Sequence, residues 1–371
     1  MLDSLGLENF KSFEEIELSL GNLTLLSGLN GSGKSTILQA IGILRQSFDA
    51  RYLVAGELAL NGELVEIGTG RDALYQGFAK AEIALSLCET LNGTERVCRW
   101  LAPAELDADV LTCSLRPAPS ELPLLDLFNR GFQFLRADRI TPSATYPKSQ
   151  DAVRQKRFLG AQGEYTAHFL LEFGELITTA EIVRSAHEEK AFSLIAQVNA
   201  WMQEFSPGVR VAAVPVPMTD LVRLVFTYKG ESAAHGDPLR PTNVGFGLTH
   251  ALPVITACLA AEPGTMLVVE NPEAQLHPRG QVSIGRLLAL TAANGVQVIV
   301  ESHSDHVLNG IRLAVKEGLL EPQQAKLHFF SRQPGRASDY QTPALTNEGR
   351  LSYWPHGFFD QWEKSLDQLL D

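Results

Sequence analysis

Apolar and polar positions alternate in the first stretch of the chain in the manner of strands. Leu2 to Leu7 and Ile16 to Leu20 form two of them, and the apolar run Leu23 to Leu26 a third. A glycine-rich interval separates that run from a helix-like stretch, Ile37 to Leu44. Short β-like segments follow: Ala81 to Cys88, Arg96 to Leu101 and Val110 to Leu115. Turn residues such as Asn92-Gly93 and Pro117 divide them, which predicts an antiparallel meander. Phe132 to Leu135 is another short strand, and the polar, proline-containing residues 141–160 predict a loop or mobile excursion. From Glu164 to Phe205 apolar residues recur at helical spacing, without the long heptad run of a coiled-coil arm. Val209 to Val216 and Leu221 to Tyr228 predict a hairpin. From Gly245 helix and strand alternate, and Thr265 to Val269 and Val296 to Val300 have the short apolar character of buried parallel strands. A strand at Leu327 to Phe330, an irregular Tyr353–Phe359 segment and an amphipathic helix to Leu370 complete the pattern; there is no internal repeat.

The α/β character is therefore split, one part lying before about residue 80 and the other after about 240. This gives three regions: 1–135, with the β meander; an inserted loop, helical and hairpin region, 136–240; and 241–371, with a short tail.

The glycine-rich interval carries the first chemistry. Residues 28–36 read GLNGSGKST and fit G-x-x-x-x-G-K-[ST] from Gly28 to Ser35, between a strand and a helix as the motif requires. Glycines let backbone N–H groups turn inward around phosphate oxygens, and a helix beginning near Gly33 adds its positive end. Lys34 supplies charge for the β- and γ-phosphates, and the Ser35 hydroxyl can hold Mg²⁺. Asn30, Gly31, Ser32, Gly33 and Thr36 complete the candidate ATP cradle. The competing reading is a glycine-rich turn with a chance lysine, which the flanking elements disfavour.

Three more segments have strand-end or helix-start chemistry. Met266 to Val269 ends in Glu270, where a carboxylate can hold Mg²⁺ through water. The strand 298–300 ends in Glu301-Ser302-His303, and a histidine there can donate to a γ-phosphate; by itself it would be a partner for a backbone carbonyl. His306 starts the next helix and reads as structural. Gly245 and Gly247 open a helix with the apolar stripe Leu248, Leu252, Ile255 and Leu259, and exposed N–H groups at such a start suit an anion.

The order GLNGSGKST, NVGFGLTH, VVENPEAQLHP, VIVESHSDH resembles the ABC-type, AAA-family ATPases of the RecF, SMC and OLD (overcoming lysogenisation defect) kind. The opening ENFKSF, residues 8–13 with Lys11, is similar to a strand-turn placed near the nucleotide in such proteins. By motif the resemblance covers roughly residues 1–45 and 240–310. It implies an α/β P-loop NTPase fold, an ABC-ATPase head with an antiparallel β subdomain and a mostly helical insertion. It also implies a homodimer, possibly a higher oligomer, that sandwiches two ATP molecules. Each P-loop would face the signature segment Asn243 to Thr249 of the other copy. Glu270 would be the Walker B carboxylate, Ala274 to His277 the dimer-contacting loop, and His303 the switch histidine. Gln133 is the candidate for the metal-binding glutamine of the family, with Arg136 and Arg139 as neighbours.

Two positions depart from the family pattern. Asn271 stands where a glutamate normally orients the attacking water, and an amide cannot accept its proton. Hydrolysis is then slow, or Glu273 or His303 assists. The signature has Gly-Phe-Gly in place of a Ser-Gly-Gly core.

Composition narrows the setting. The 371 residues are 45% hydrophobic and 20% charged, the balance of a soluble globular protein. No apolar stretch is long enough to span a bilayer, and the N-terminus lacks a secretion signal, so a cytoplasmic location is expected. Cys88, Cys98, Cys113 and Cys258 lack metal-ligand spacing and read as reduced thiols. A net charge of −12 gives no support for autonomous nucleic-acid binding. Arg130, Arg136, Arg139, Lys148, Arg154, Lys156 and Arg157 form a local exception, read as a solvated or phosphate-facing group in preference to a nucleic-acid contact.

The leading functional expectation is an ATP-gated switch acting with a nuclease or other effector in DNA repair or anti-phage defence. Relatives of the OLD kind can carry a Toprim nuclease after the head. Here about sixty residues follow the His303 helix, too few for a typical domain, so the effector is expected on a separate chain. The alternatives are a scaffold with ATP as structural ligand and, less favoured, a transporter's ATPase subunit.

Overall fold

The computed structural model describes residues 1–91, 93–176, 192–229, 237–332, 337–359 and 361–370. The chain runs β1 (Leu2–Phe10), β2 (Phe13–Ser19), β3 (Leu23–Gly28), α1 (Lys34–Asp49), α2 (Tyr52–Ala55), β4 (Glu57–Ala59), α3 (Gly70–Ala73), β5 (Glu82–Leu91), β6 (Thr94–Pro103) and β7 (Val110–Thr112). It continues through β8 (Gln133–Leu135), β9 (Tyr146–Pro147), α4 (Thr166–Phe173), α5 (Leu194–Phe205), β10 (Val209–Pro215), β11 (Leu221–Tyr228) and α6 (Phe246–Ala260). Then come β12 (Met266–Glu270), α7 (Pro278–Ala293), β13 (Gln297–Glu301), α8 (Asp305–Lys316), β14 (Ala325–Arg332), β15 (Ser338–Gln341) and α9 (Gln361–Leu370). Contacts divide it into two compact units: residues 1–129 with 322–371, and residues 130–321. The middle region thus packs with residues 241–321, and the tail with the first 129 residues.

In the first unit an antiparallel sheet has the order β2-β1-β5-β6. Leu5, Leu7 and Leu18 of β1 and β2, Leu85 and Leu87 of β5 and Trp100 of β6 are wholly buried. A register shift between Leu2 and Ser4 resets the period-two alternation, which lets both Leu2 and Leu5 face inward. The expected meander stops after β6. β7 pairs with β4 instead, setting buried Leu58 opposite buried Leu111, and only a bridge from Leu101 to Leu115 links it to β6. Alternation identifies strands but does not choose their partners. Asn92 of the expected turn lies outside the described residues.

β3 pairs in parallel with β14, Leu25 opposite Leu327, and β14 pairs antiparallel with β15. Helix α1 runs five residues beyond its apolar pattern because its polar residues are satisfied internally. The Arg45 guanidinium donates to the carbonyls of Leu127 (2.9 Å) and Asn129 (2.8 Å) and to Asp49 (2.9 Å). The Gln46 amide donates to the Ala59 carbonyl at 2.9 Å and accepts from the Val65 N–H at 3.0 Å.

His328 on β14 is 1% exposed. Its Nε2 lies 2.8 Å from the Ser19 carbonyl, which can only accept, so the neutral ring carries its proton there and Nδ1 accepts from Thr342 Oγ1, also at 2.8 Å. Burial pushes its pKa down from 6.5 to about 4, assisted by Lys326 and opposed by the Ser19 bond. Between those values the unfolded chain binds a proton that the folded chain does not. The stabilisation is therefore complete above pH 6.5 and fades as pH falls towards 4, by up to about 3 kcal/mol. Thermal melts of wild type from pH 7 to 4 should fall more steeply than those of His328→Gln. Equal slopes would remove His328 as the cause.

In the second unit β13, β12 and β8 pair in parallel, Val269 lying opposite Val300 on one side and Leu135 on the other. Leu267 to Val269 and Val298 to Val300 are wholly buried, as runs without alternation require. α6 departs from its expected single stripe: every residue from Leu248 to Leu259 is buried, Pro253 included. The middle region contributes α4, α5 and the three-stranded antiparallel sheet β10-β11-β9; residues 177–191 lie outside the described residues. The expected loop at 141–160 holds an edge strand, since Tyr146 is 3% exposed and pairs with Val222 while Pro147 pairs with Leu221. Among the described residues no helix is long and apolar enough to cross a membrane, and no cluster of three His, Cys, Asp or Glu could hold a metal. All four cysteines are free thiols.

Candidate nucleotide-binding and hydrolysis residues

In the first unit the strand β3 ends at Gly28 and α1 begins at Lys34, so the motif occupies a tight loop. Two of its positions admit only glycine. At φ 138°, a Cβ on Gly28 would lie 2.2 Å from the Phe330 carbonyl oxygen; at φ 99°, one on Gly33 would lie 2.7 Å from the Phe13 ring. Lys34 is 3% exposed, and its Nζ donates to the carbonyls of Gly28 (3.0 Å) and Leu29 (2.9 Å), so the loop curls round the ammonium. Asn30, Gly31 and Ser35 are exposed. The Ser32 Oγ is buried without a partner, which fits a cradle built to meet additional phosphate oxygens. No acidic residue occupies the first turn of α1, leaving its positive end uncompensated.

The strand-turn at residues 8–13 packs on this loop. Thr36 Oγ1 donates to Ser12 Oγ at 3.2 Å. Asn9 and Lys11 are both left-handed, at φ 51° and 50°, and the Lys11 N–H donates to the Ala73 carbonyl at 2.9 Å. Burial lowers the pKa of the Lys11 amine, and Asp72 opposes the shift.

In the second unit the C-terminal ends of β12 and β13 bring Glu270, Asn271, Glu273, Glu301, Ser302 and His303 to one edge. Glu270 pairs with Glu301 across the strands. Its carboxylate accepts the Ala137 N–H at 3.0 Å. Burial raises the Glu270 pKa and Glu301 adds to the rise, while the Ala137 bond lowers it. Two carboxylates at one strand edge, one short of solvation, suit a divalent cation reached through water. Asn271 is left-handed, φ 44°, and donates its N–H to the Glu301 carbonyl at 2.9 Å.

Glu273 braces the edge. Its carboxylate accepts from Ser302 Oγ and from the His303 N–H, both at 2.9 Å, one bond on each oxygen. The His303 ring is 37% exposed, with Nε2 4.0 Å from Glu301 Oε1. Ser304 caps α8, accepting from the N–H groups of His306 (3.1 Å) and Val307 (3.2 Å). His306 thus sits in the helix's first turn, as its place in the sequence predicts.

Gly245 caps α6 and is exposed, as are Asn243 and Phe246. Gly247 lies one residue inside the helix, where a Cβ would come 2.3 Å from the Gln275 carbonyl oxygen. Only glycine lets the helix start press against the 274–277 loop. Beside this contact lies a cleft of about 300 Å³ lined by Phe205, Tyr228, Gly245, Leu276, His277 and Arg279 among others.

Gln133 does not fit as a metal ligand. It lies opposite Leu267, three residues before the strand edge, and is 5% exposed. Its amide donates to the Arg157 carbonyl at 2.5 Å and accepts from the Leu159 N–H at 3.1 Å, so its side chain closes a loop instead. The basic cluster is also engaged within the unit. Arg136 pairs with Asp138, Arg154 with Glu172, Lys156 with Asp151 and Arg157 with Glu262. Arg130 donates to the Arg154 carbonyl and Lys148 to that of Thr219. Arg139 turns inward, and its Nη1 and Nη2 reach the carbonyls of Glu270 and Asn271 at 2.8 and 2.5 Å. From sequence, Arg139 is only a neighbour of Gln133 and one of the basic group, and Ser302 is named at its strand end without a role; a buried arginine leaves no periodic signal.

Known proteins share parts of this sequence and its fold. Residues 1–95 match a family described as AAA ATPase domain, and residues 320–369 one described as a protein of unknown function. The chain is 35% identical over 78 residues to the DNA replication and repair protein RecF of Corynebacterium jeikeium, covering 19% of this chain and 18% of RecF. It is 50% identical over 44 residues to the OLD nuclease of Thermus scotoductus, covering 12% of this chain and 8% of that protein. The matches thus span under a fifth of either relative. An SMC head crystallised with the C-terminal winged-helix domain of ScpA superposes with a TM-score of 0.55 at 15% identity, covering 93% of this chain and 98% of the other. An SMC head with an extended coiled coil, bound to the C-terminal domain of ScpA derived from Pyrococcus furiosus, gives 0.55 at 14% identity, covering 100% and 99%. Fold and motifs together define an ABC-type P-loop ATPase of the RecF, SMC and OLD kind. The chain belongs to the family described as AAA domain, putative AbiEii toxin, type IV TA system, which it matches over residues 108–309.

Proposed function

We propose that this protein is an ATP-dependent switch that dimerises around nucleotide, hydrolyses it slowly, and controls a separately encoded effector such as a nuclease, in anti-phage defence or DNA repair, in the cytoplasm. The observation that carries the ATP reading is the loop around Lys34, with its glycine-only positions and the unpartnered Ser32 hydroxyl. In this reading Lys34 grips the β- and γ-phosphates, while Asn30 to Gly33 and Thr36 shape the cradle. Mg²⁺ held by Ser35 and, through water, by Glu270 would neutralise charge developing on the phosphates. Lys11 borders the cradle, His303 answers to the γ-phosphate, and Asn243, Gly245 and Gly247 present backbone N–H groups to the nucleotide of the other copy. The toxin–antitoxin description of the family and the likeness to an OLD nuclease support a paired effector.

Slow turnover follows from Asn271 and Glu273. The amide cannot take a proton, and the Glu273 carboxylate is turned towards Ser302 and the His303 backbone. The same pair favours the second reading, a scaffold that binds ATP without turning it over.

Phosphate release and sedimentation of the purified protein with Mg-ATP, with and without DNA, test these readings. Slow release and an ATP-dependent shift from monomer to dimer are expected. Asn271→Glu should raise turnover about tenfold, while the left-handed backbone at 271 reduces stability by about 1 kcal/mol. An unchanged rate would remove Asn271 as the cause of slowness. No release over a long incubation favours the scaffold, and no dimer with ATP overturns the sandwich.

A further inference from the structure

Arg139 is 4% exposed, yet none of its hydrogen bonds goes to a carboxylate. Nη1 donates to the carbonyls of Arg136 (3.1 Å) and Glu270 (2.8 Å), and Nη2 to that of Asn271 (2.5 Å). Burial lowers this guanidinium to about 10, against the nearby charges of Glu273, Glu270 and Asp138. An apolar side chain of similar volume would fill the space at a smaller desolvation cost, so packing alone does not account for a cation here. Its grip falls on the left-handed residue of the site, Asn271. A non-glycine residue in that conformation persists where its surroundings over-determine it. Here they do: the Asn271 carbonyl takes Arg139 and the Ala274 N–H, and its own N–H goes to Glu301.

Arg139 Nε is buried without a partner, so the guanidinium is held through Nη1 and Nη2 alone.

We propose that Arg139 is the positioning residue of the hydrolytic edge. By holding the carbonyls of Glu270 and Asn271 it fixes the direction of their side chains. This rests on the ATPase reading above, and it assigns Arg139 to the backbone of the site, with no contact to nucleotide.

The test compares Arg139→Met and Arg139→Lys in steady-state ATP turnover, equilibrium ATP binding and amide hydrogen exchange. Arg139→Met should lower kcat at least about tenfold with ATP affinity within about twofold, and Arg139→Lys should recover part of the loss. The amides of Asn271, Ala274 and Leu276 should exchange at least about tenfold faster in Arg139→Met, while those of β13 hold. Lost ATP affinity with kcat retained, or unchanged exchange at 271–276, would each overturn the proposal. Should Arg139→Met fail to fold, Arg139→Lys carries the same comparison. Exchange needs no turnover, so wild-type protein without ATPase activity would sink the ATPase reading, while the exchange rates at 271–276 would still decide whether Arg139 holds the turn.

Discussion

Lys34→Ala should reduce ATP turnover by at least about a hundredfold and abolish saturable ATP binding. The ammonium is held at the mouth of a glycine loop by two backbone carbonyls, positioned before any phosphate arrives. Alanine removes both the charge and the reach. The carbonyls it abandons belong to Gly28 and to Leu29, which is 74% exposed, so water replaces the lost bonds and the fold loses little. Without nucleotide, the variant should melt within a few degrees, roughly, of wild type. With Mg-ATP, wild type should gain stability by mass action and the variant should not. A variant that still shows the full nucleotide-dependent rise would mean that ATP sits elsewhere, and the assignment of this loop would fail.

The second large effect is expected at Glu270. Glu270→Gln keeps an oxygen that accepts the Ala137 N–H, so the bond seen at 3.0 Å survives and the edge should keep its shape. What disappears is the negative charge that, in the proposed site, would face the metal. Turnover should fall by about 10²- to 10³-fold while ATP still binds. The nucleotide-bound form should then accumulate, and in sedimentation with Mg-ATP the variant should stay dimeric long after wild type has returned to monomer. Retained turnover in Glu270→Gln would pass the metal-facing role to another residue, with Glu301 the first to examine.

Much of this was legible in the chain because the chemistry is local. The P-loop is one contiguous run between the strand ending at Gly28 and the helix beginning at Lys34, and sequence records such geometry directly. The buried parallel strands β12 and β13 were legible for the same reason, since a strand covered on both faces leaves an unbroken apolar run. What depended on distant partners was not. Val110 to Thr112 reads as the next strand of a meander, but Leu58 is its partner, fifty-three residues back. β15 is polar, Ser338 to Gln341, and is held by pairing to β14 and by the Tyr340 hydroxyl donating to the Glu17 carbonyl at 2.7 Å. Nothing in those four residues alone marks a strand.

The site shows the same division. Glu270 and His303 stand out as polar residues ending apolar runs. Gln133 stood out too, and wrongly, because a glutamine after an aromatic looks alike whether its amide meets a metal or a loop carbonyl. Arg139 was visible as one basic residue among seven. Only the fold separates it, since the others lie on carboxylates or other carbonyls and it holds the Glu270–Asn271 turn. Asn271 was legible as a chemical anomaly, while its left-handed backbone was not.

Helix α1 carries one further consequence. Its far end is anchored by Arg45 and Gln46, each bonded to chain segments well separated in sequence. The receptor for a triphosphate is consequently rigid from the rear, its disorder surrendered when the polypeptide folds. In the dimer proposed above, an arriving nucleotide would have little of α1 left to arrange, and more of its contact energy would remain to act between subunits.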